Sequence, residues 1–203
     1  MESENFLLTI AVIAVLVSAF GFTYVVLDKS NNNWLTGFAL TSTGTVNLTI
    51  ATSAAVNFTT NNINWGSGNL NNGTTQAVLD TSAGTVTNGT WTPVSQGFKI
   101  ENYGNVNLSI QFKAGKDAAA FIGGTSPLYQ FNVTNSEANS CTSNVSILFG
   151  VWNNVNTTDT VICNVFNFID NTDLLEVDIK LAVPYNAKTG ALGDIVTVTA
   201  TAL

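Results

Sequence analysis

The chain has 203 residues, of which only 9% are charged, and its formal net charge is −7. An ordinary soluble domain carries about 25% charged residues, so this surface has little of the charge that keeps molecules apart. The sequence has no Arg and no cluster of Lys, which disfavours nucleic acid as a partner. It has no His, the commonest general base and zinc ligand, and no phosphate-binding loop. We therefore expect no enzyme activity, cofactor or metal.

An unbroken apolar run spans Phe6–Leu27. Its 22 residues would reach about 33 Å as a helix, close to the ~30 Å hydrocarbon core of a bilayer. Three interpretations compete: a cleaved signal peptide, a single membrane anchor, and a filament-forming helix that moves from the membrane into a bundle of copies. The acidic start, Met1–Asn5, and the length of the run disfavour a signal peptide. Apolar residues point in every direction over Val12–Val17, so such a helix needs lipid or other helices around it.

Strand patterns begin after a polar stretch. We predict a hydrophobic helix in residues 1–30, a polar linker or junction in residues 31–43 and a β-sandwich in residues 44–203. Val46, Leu48 and Ile50 alternate with polar residues, which is the period-two pattern of a strand. The segment Thr43–Ile50, or the C-terminal strand, could be donated to the sheet of another copy. A role as an edge or core strand of its own domain is the simpler interpretation.

Further short strands are predicted along the rest of the chain. Alternating apolar residues mark these segments: Val56–Phe58, Phe98–Ile100, Val106–Phe112, Tyr129–Val133, Ile147–Val151, Leu175–Val183 and Asp194–Leu203. A hairpin-like turn is expected at Asn102–Asn105, and Lys116–Ile122 forms either one or two helical turns or a loop. The predicted fold is mainly β: an N-terminal hydrophobic α-helix followed by an antiparallel β-sandwich of immunoglobulin or jelly-roll type.

Two stretches resemble parts of known proteins. Gly97–Phe112 (GFKIENYGNVNLSIQF) is similar to the strand, Asn-Gly turn, strand hairpin of sandwich domains in archaeal surface and filament proteins. The ending VPYNAKTGALGDIVTVTATAL is similar to the last hairpin of secreted pilin-like sandwiches, with Gly190 and Asp194 in a Gly-x-x-x-Asp turn. With the apolar helix added, the chain resembles an archaeal surface or pilus-type protein with a type IV pilin-like N-terminus. Pilins carry a basic leader that this sequence lacks, so either Met1 is a processed end or another export pathway is used.

Two kinds of covalent modification are predicted for a secreted chain. Cys141 and Cys163 most simply form one disulfide, and two free buried thiols are the alternative. Eight Asn-x-Ser/Thr sequences are candidates for glycosylation, and those on turns are the better ones. The candidates are Asn47, Asn57, Asn72, Asn88, Asn107, Asn132, Asn144 and Asn156.

Two groups of residues could bind a ligand, and each has a simpler explanation. Asp170–Asp173 offers oxygen ligands for calcium, with Asp159 as a further candidate, but turn and capping roles account for the same residues. Trp65, Trp91 and Trp152 could bind carbohydrate if they are exposed, and packing in a sandwich core accounts for them equally.

These patterns favour a structural subunit of an extracellular helical filament. Its hydrophobic helices would form the core and its glycosylated sandwich the outer face. The partners would be copies of itself, the membrane at least before assembly, and surface glycans or host-cell targets. The alternatives are a membrane-anchored surface glycoprotein that acts in adhesion or in a surface layer, and a filament subunit that assembles by donor-strand exchange.

Overall fold

The computed structural model describes residues 12–18, 45–143 and 149–203. The chain divides into two compact units, Met1–Thr49 and Ile50–Leu203. In the first unit, residues 12–18 are helical. The remainder of the predicted helix Phe6–Leu27 and the linker in residues 31–43 lie outside the described residues. Within the described ranges, no helix has both the length and the apolar character needed to cross a bilayer.

In the second unit, which we call the two-sheet domain, the regular secondary structure consists of antiparallel strands and one short helix. Its described strands are β1 (Val56–Thr60), β2 (Gln76–Asp80), β3 (Thr85–Thr87), β4 (Phe98–Asn102), β5 (Leu108–Ala114), β6 (Leu128–Asn135), β7 (Cys141–Ser143), β8 (Asn153–Asn154), β9 (Thr160–Phe166), β10 (Leu174–Pro184) and β11 (Val196–Ala202). A short helix, Ala118–Phe121, interrupts them, so the segment Lys116–Ile122 contains a helical turn, one of the two conformations that its sequence allows.

Strand β10 organises the larger sheet. One edge of β10 pairs with β6, which in turn pairs with β8. The other edge is shared, because β4 pairs with its first half and β2 with its second half. The outermost strands on that side are β1, next to β4, and β3, next to β2. The smaller sheet has the order β11-β5-β9-β7.

The gap between β2 and β4 is closed by polar contacts with β10. The hydroxyl of Thr81 donates to Asp178 Oδ1 at 2.7 Å and accepts a hydrogen bond from the N–H of Ile179 at 2.9 Å. A Cβ on Gly97 would lie 2.6 Å from the carbonyl oxygen of Val177, so only glycine allows this approach. Asp178 is therefore buried at 5% exposure, although its alternation places it on the face away from the core.

One apolar core lies between the two sheets. Phe112 on β5 and Phe131 on β6 bring side chains from opposite sheets together, with ring centroids 5.1 Å apart. On β10, Leu175, Val177 and Ile179 point into this core, as the odd-position alternation predicted. Alternation thus produces the mainly β, antiparallel fold that the sequence indicated.

The sequence predicts where the strands lie better than it predicts which strands pair. The prediction of a strand at Leu175–Val183 is confirmed by β10, and the last predicted strand by β11. The hairpin predicted around Asn102–Asn105 is wrong, because β4 belongs to the larger sheet and β5 to the smaller one. The last hairpin is wrong for the same reason, since β10 and β11 lie in different sheets. Both connections carry the chain from one sheet to the other.

The predicted disulfide is present. Cys141 on β7 and Cys163 on β9 are bonded, with their Cα atoms 5.8 Å apart. The two strands are neighbours in the smaller sheet. The strand predicted at Ile147–Val151 does not form at residues 149–151, which are turn and bend, and its first residues lie outside the described ranges.

Candidate assembly surfaces

An exposed apolar segment, residues 45–50, includes the last residues of the first unit and Ile50, the first residue of the two-sheet domain. Val46, Leu48 and Ile50 expose 95%, 82% and 77% of their surface. Residues 45–50 alternate as a strand would, yet none of them is in a strand. The predicted strand pairing of this segment is therefore not found within the described residues. The segment carries no charge. Contact of its large apolar side chains with water is unfavourable, so their burial against another surface would be favourable.

Hydrogen bonds join Ala51 and Ser53 to the rest of the two-sheet domain. Asn105 Nδ2 donates to the carbonyl of Ala51 at 2.8 Å, and Asn105 Oδ1 accepts from the N–H of Ser53 at 2.7 Å. Tyr103 and Asn105 also donate backbone hydrogen bonds to Ala55 and Ser53. The turn predicted at Asn102–Asn105 thus holds residues 51–55 of the same chain in place through these hydrogen bonds.

Glycine at position 104 allows the Asn102–Asn105 turn to approach the backbone of Ser53 closely. A Cβ on Gly104 would lie within van der Waals overlap of the carbonyl oxygen of Ser53, so any other residue would push the incoming chain away. The C-terminus lies at the same end of the domain, because the N–H of Leu203 donates to the carbonyl of Asn107 at 3.0 Å. Ala51 is therefore hydrogen-bonded at the end of the domain where β11 finishes.

Strand β11 forms one outer edge of the smaller sheet. It pairs with β5 through a continuous register from Val196 opposite Ala114 to Ala202 opposite Leu108. Val196, Val198 and Ala200 pack against the core but remain half-buried. In the described part of the chain, no strand pairs with its other edge.

The helical residues 12–18 form a second exposed apolar surface. Val12, Ile13, Val15, Leu16 and Val17 each expose between 50% and 67% of their surface. These positions cover every direction around a helix, as the sequence predicted. A helix exposed on all sides requires an apolar environment such as lipid or other helices.

The glycosylation candidates occupy very different environments. Five are exposed: Asn47, Asn57, Asn72, Asn88 and Asn156. Asn107 is half-buried, and Asn132 is buried at 6% exposure. A sugar on Asn132 would not fit the folded domain. Asn144 lies outside the described residues.

A group of carboxylates surrounds the start of β10. The N–H of Asp173 donates to Glu137 Oε2 at 3.1 Å. Burial, followed by the negative charges of Glu137 and Glu101, raises the pKa of Asp173 to about 6. The sequence could not reveal this contact, because Glu137 is 36 positions away.

The candidate calcium ligands, Asp159 and Asp170–Asp173, do not converge. Asp170 Oδ1 accepts from the N–H of Asn171, its own neighbour in the loop, at 3.1 Å. Asp159 instead forms an ion pair with Lys113 at 3.3 Å. Among the described residues, no three or more His, Cys, Asp or Glu side chains are grouped to hold a metal ion.

The three tryptophans that are candidates for carbohydrate binding, Trp65, Trp91 and Trp152, are all partly buried. Trp65 and Trp91 pack against the core. The ring of Trp152 lies under the ammonium group of Lys180, which is 4.0 Å from the ring centroid. Lys180 also pairs with Asp80 at 2.9 Å. These contacts give each tryptophan a packing role and leave no open aromatic platform among the three.

Asp194, the last residue of the Gly-x-x-x-Asp sequence that begins at Gly190, makes polar contacts just before β11. Asp194 Oδ2 accepts a hydrogen bond from the N–H of Lys116 at 3.3 Å. Burial, together with the nearby carboxylate of Asp194, raises the pKa of Tyr129. Asp194 therefore joins β11 to the rest of the domain at one end.

No protein-family model, curated protein or solved structure matches this chain.

Proposed function

We propose that this chain is a structural subunit of an extracellular filament made of copies of itself. Its apolar N-terminal part would join the copies, and the two-sheet domain, as a β-sandwich of immunoglobulin or jelly-roll type, would form the outer face. The observation that carries the proposal is the exposure of large apolar side chains in both described segments before the domain. Single exposed apolar residues are ordinary, but contiguous ones mark contact surfaces.

The helical segment supports a filament core or a membrane anchor. Apolar side chains around residues 12–18 are at least half exposed, so lipid or neighbouring helices would bury them. The resemblance to archaeal pilus-type proteins favours neighbouring helices after an initial stay in the membrane. A solitary membrane-anchored surface glycoprotein is the alternative that the same observation allows.

The segment of residues 45–50 supports a second assembly mode, donor-strand exchange. Its side chains alternate as in a strand and are more exposed than those of the helix. A donated strand gains backbone hydrogen bonds from the receiving edge and buries alternate side chains there. Both modes make the chain a filament subunit, and they differ in which segment joins the copies.

An extracellular location is supported by the disulfide and by the exposed glycosylation candidates. Disulfides persist mainly in oxidising compartments. Sugars on the exposed asparagines would cover a surface that has few charged residues. The membrane before assembly, and surface glycans or host-cell targets afterwards, remain proposed partners in addition to copies of the chain.

The experiment is electron microscopy of cell-surface material, combined with N-terminal sequencing of the released protein. Ordered fibres that retain Phe6–Leu27 would support a helical core, and fibres that start near Thr41 would support strand donation. Protein that is extracted only by detergent and never forms fibres would overturn the filament proposal in favour of an anchor.

Point variants would identify the joining segment. Leu16→Asp should abolish fibres if the helix forms the core, and Leu48→Asp should abolish them if a strand is donated. Ile169→Asp is the matched control, because Ile169 is 62% exposed on a loop of the two-sheet domain. Loss of fibres with the control as well would show a general sensitivity to charge and would remove support for either segment.

A further inference from the structure

We infer that residues 45–50 of one copy pair as an additional strand with the outer edge of β11 in a second copy. The inference rests on the filament proposed above and names the surface that receives the donated strand. Three observations carry it: the unprotected edge of β11, the direction of its free hydrogen-bonding groups, and the matching pattern of the donor.

Natural sheets protect their edges, and within the residues that the structure describes β11 lacks the usual protection. Edges are commonly blunted by short strands, bulges, charged side chains or proline. Strand β1 has five residues and a shift in register, and β3, β7 and β8 have three, three and two residues. Strand β11 has seven residues, pairs without interruption, and its sequence VTVTATA contains neither a charge nor proline. It is the longest outer strand in the described ranges.

The backbone of β11 presents its free groups in a regular row. The N–H groups of Gly115 and Leu203 donate to the carbonyls of Ile195 and Asn107, so odd-numbered residues of β11 bond to β5. In an antiparallel ladder the bonded pairs alternate, and the register of β11 with β5 is continuous. The N–H and C=O groups of the even-numbered residues 196, 198, 200 and 202 therefore point away from β5, where an added strand would bond to them.

The same even-numbered residues direct their side chains to the core. Val196, Val198 and Ala200 pack against it and are only half-buried, whereas the threonines between them are exposed. A strand added at this edge would place its own alternate side chains beside them. Val46, Leu48 and Ile50 have the required spacing, and Asn47 would remain on the outer face with its glycosylation sequence accessible.

A second copy is the occupant that the geometry favours. Ala51 is held at the Asn102–Asn105 turn, and the residue just before it, Ile50, is 77% exposed. Ile50 therefore keeps most of its surface available for contact with a second copy. Each copy has one donor segment and one β11 edge, and these are different surfaces, so the contact is head-to-tail and can continue into an open filament.

The test uses full-length chains, mixed in detergent and then allowed to assemble. One chain carries Thr45→Cys, on the polar face of the donor, and the other carries Thr199→Cys, on the exposed face of β11. Thr45 lies outside the Asn47 glycosylation sequence, and both native cysteines are already in a disulfide. A short bis-maleimide should then form covalent dimers of the two chains. The matched control replaces Thr199→Cys by Thr85→Cys on the outer strand β3, and it should give none.

A blocking variant adds a second measurement. The N–H of Ala200 points away from β5, so Ala200→Pro removes a group that only the donated strand would use. Near-ultraviolet circular dichroism would verify the fold, and cross-linking of a folded variant should be lost. Undiminished cross-linking in folded Ala200→Pro would contradict pairing at this edge.

The outcomes separate this inference from the filament proposal. Fibres seen by electron microscopy without dimers above the Thr85 control would overturn the β11 contact and leave the filament standing. A double variant, Thr45→Cys with Thr199→Cys, that cross-links only within one chain would show self-pairing and overturn the exchange. Absence of both fibres and dimers would overturn both proposals.

Discussion

Leu48 and Leu108 allow the same substitution to be compared in two environments. Leu48 is 82% exposed before the two-sheet domain, and Leu108 is fully buried at 0% exposure on β5. If the exposed segment exists to contact another copy, Leu48→Ala should leave the stability of a single chain unchanged and weaken assembly. Leu108→Ala should do the reverse, because it creates a cavity in the core of each copy.

The magnitudes follow from the two exposures. Complete burial of a leucine side chain is worth about 1.5–3 kcal/mol, and most of it is still available to Leu48. Loss of that contact should weaken association by about 1–2 kcal/mol, which is roughly five- to thirtyfold in the dissociation constant. The free energy of unfolding of the dispersed chain should change by less than about 0.5 kcal/mol. Leu108→Ala should lower that free energy by about 2–5 kcal/mol.

Two measurements check the comparison. Urea denaturation of the dispersed full chain gives the free energy of unfolding, and sedimentation gives the protein concentration at which fibres first form. A loss of stability for Leu48→Ala that approaches the loss for Leu108→Ala would refute the reasoning, because residue 48 would then be packed within a single chain. Unchanged assembly in Leu48→Ala would equally refute a role for this side chain between copies.

Three further predictions concern the two-sheet domain. Replacing Cys141 and Cys163 by alanine should lower the free energy of unfolding in urea by about 3 kcal/mol, the chain-entropy value for a loop of 22 residues; a loss below about 1 kcal/mol would contradict it. Asp173→Asn should stabilise the domain above pH 6 by about 1–3 kcal/mol, because the raised pKa means that the folded chain loses stability as the pH rises from about 4 to 6. Thermal unfolding across this range, with Asp170→Asn as the exposed control, should show a gain for Asp173→Asn alone. The intact mass of native protein should exceed 21.4 kDa, and agreement with that mass would reject glycosylation.

The sequence predicts which face a residue occupies better than it predicts which strand lies beside it. β10 was located to within one residue at each end, because its odd positions are uniformly apolar. The same alternation is compatible with any neighbour, so Gly97–Phe112 looked like a hairpin although its two strands belong to different sheets. Partner choice depends on packing across the whole core, which no local pattern contains.

Long-range polar contacts escape sequence analysis for a related reason. Asp178 was expected on the outer face of β10, where a carboxylate would normally be in water. It is buried because Thr81, 97 positions earlier, fills the gap between β2 and β4. The hydrogen bond from Asn105 to Ala51 is a second example, because the sequence predicts the turn at Asn102–Asn105 but not the segment to which that turn is bonded.

The distribution of charge over the strands bears most directly on assembly. In the described ranges, every charged strand residue lies on a strand paired on both sides: Asp80 on β2, Lys99 and Glu101 on β4, Lys113 on β5, and Glu176, Asp178 and Lys180 on β10. The outer strands β1, β3, β7, β8 and β11 carry none. This is the opposite of the usual arrangement, in which charge on outer strands prevents pairing with other molecules. Short length or irregular register limits pairing at four of these edges, whereas β11 is long and regular. Within the described ranges β11 is the longest outer strand and carries no charge, which is consistent with the proposal that another copy adds a strand there.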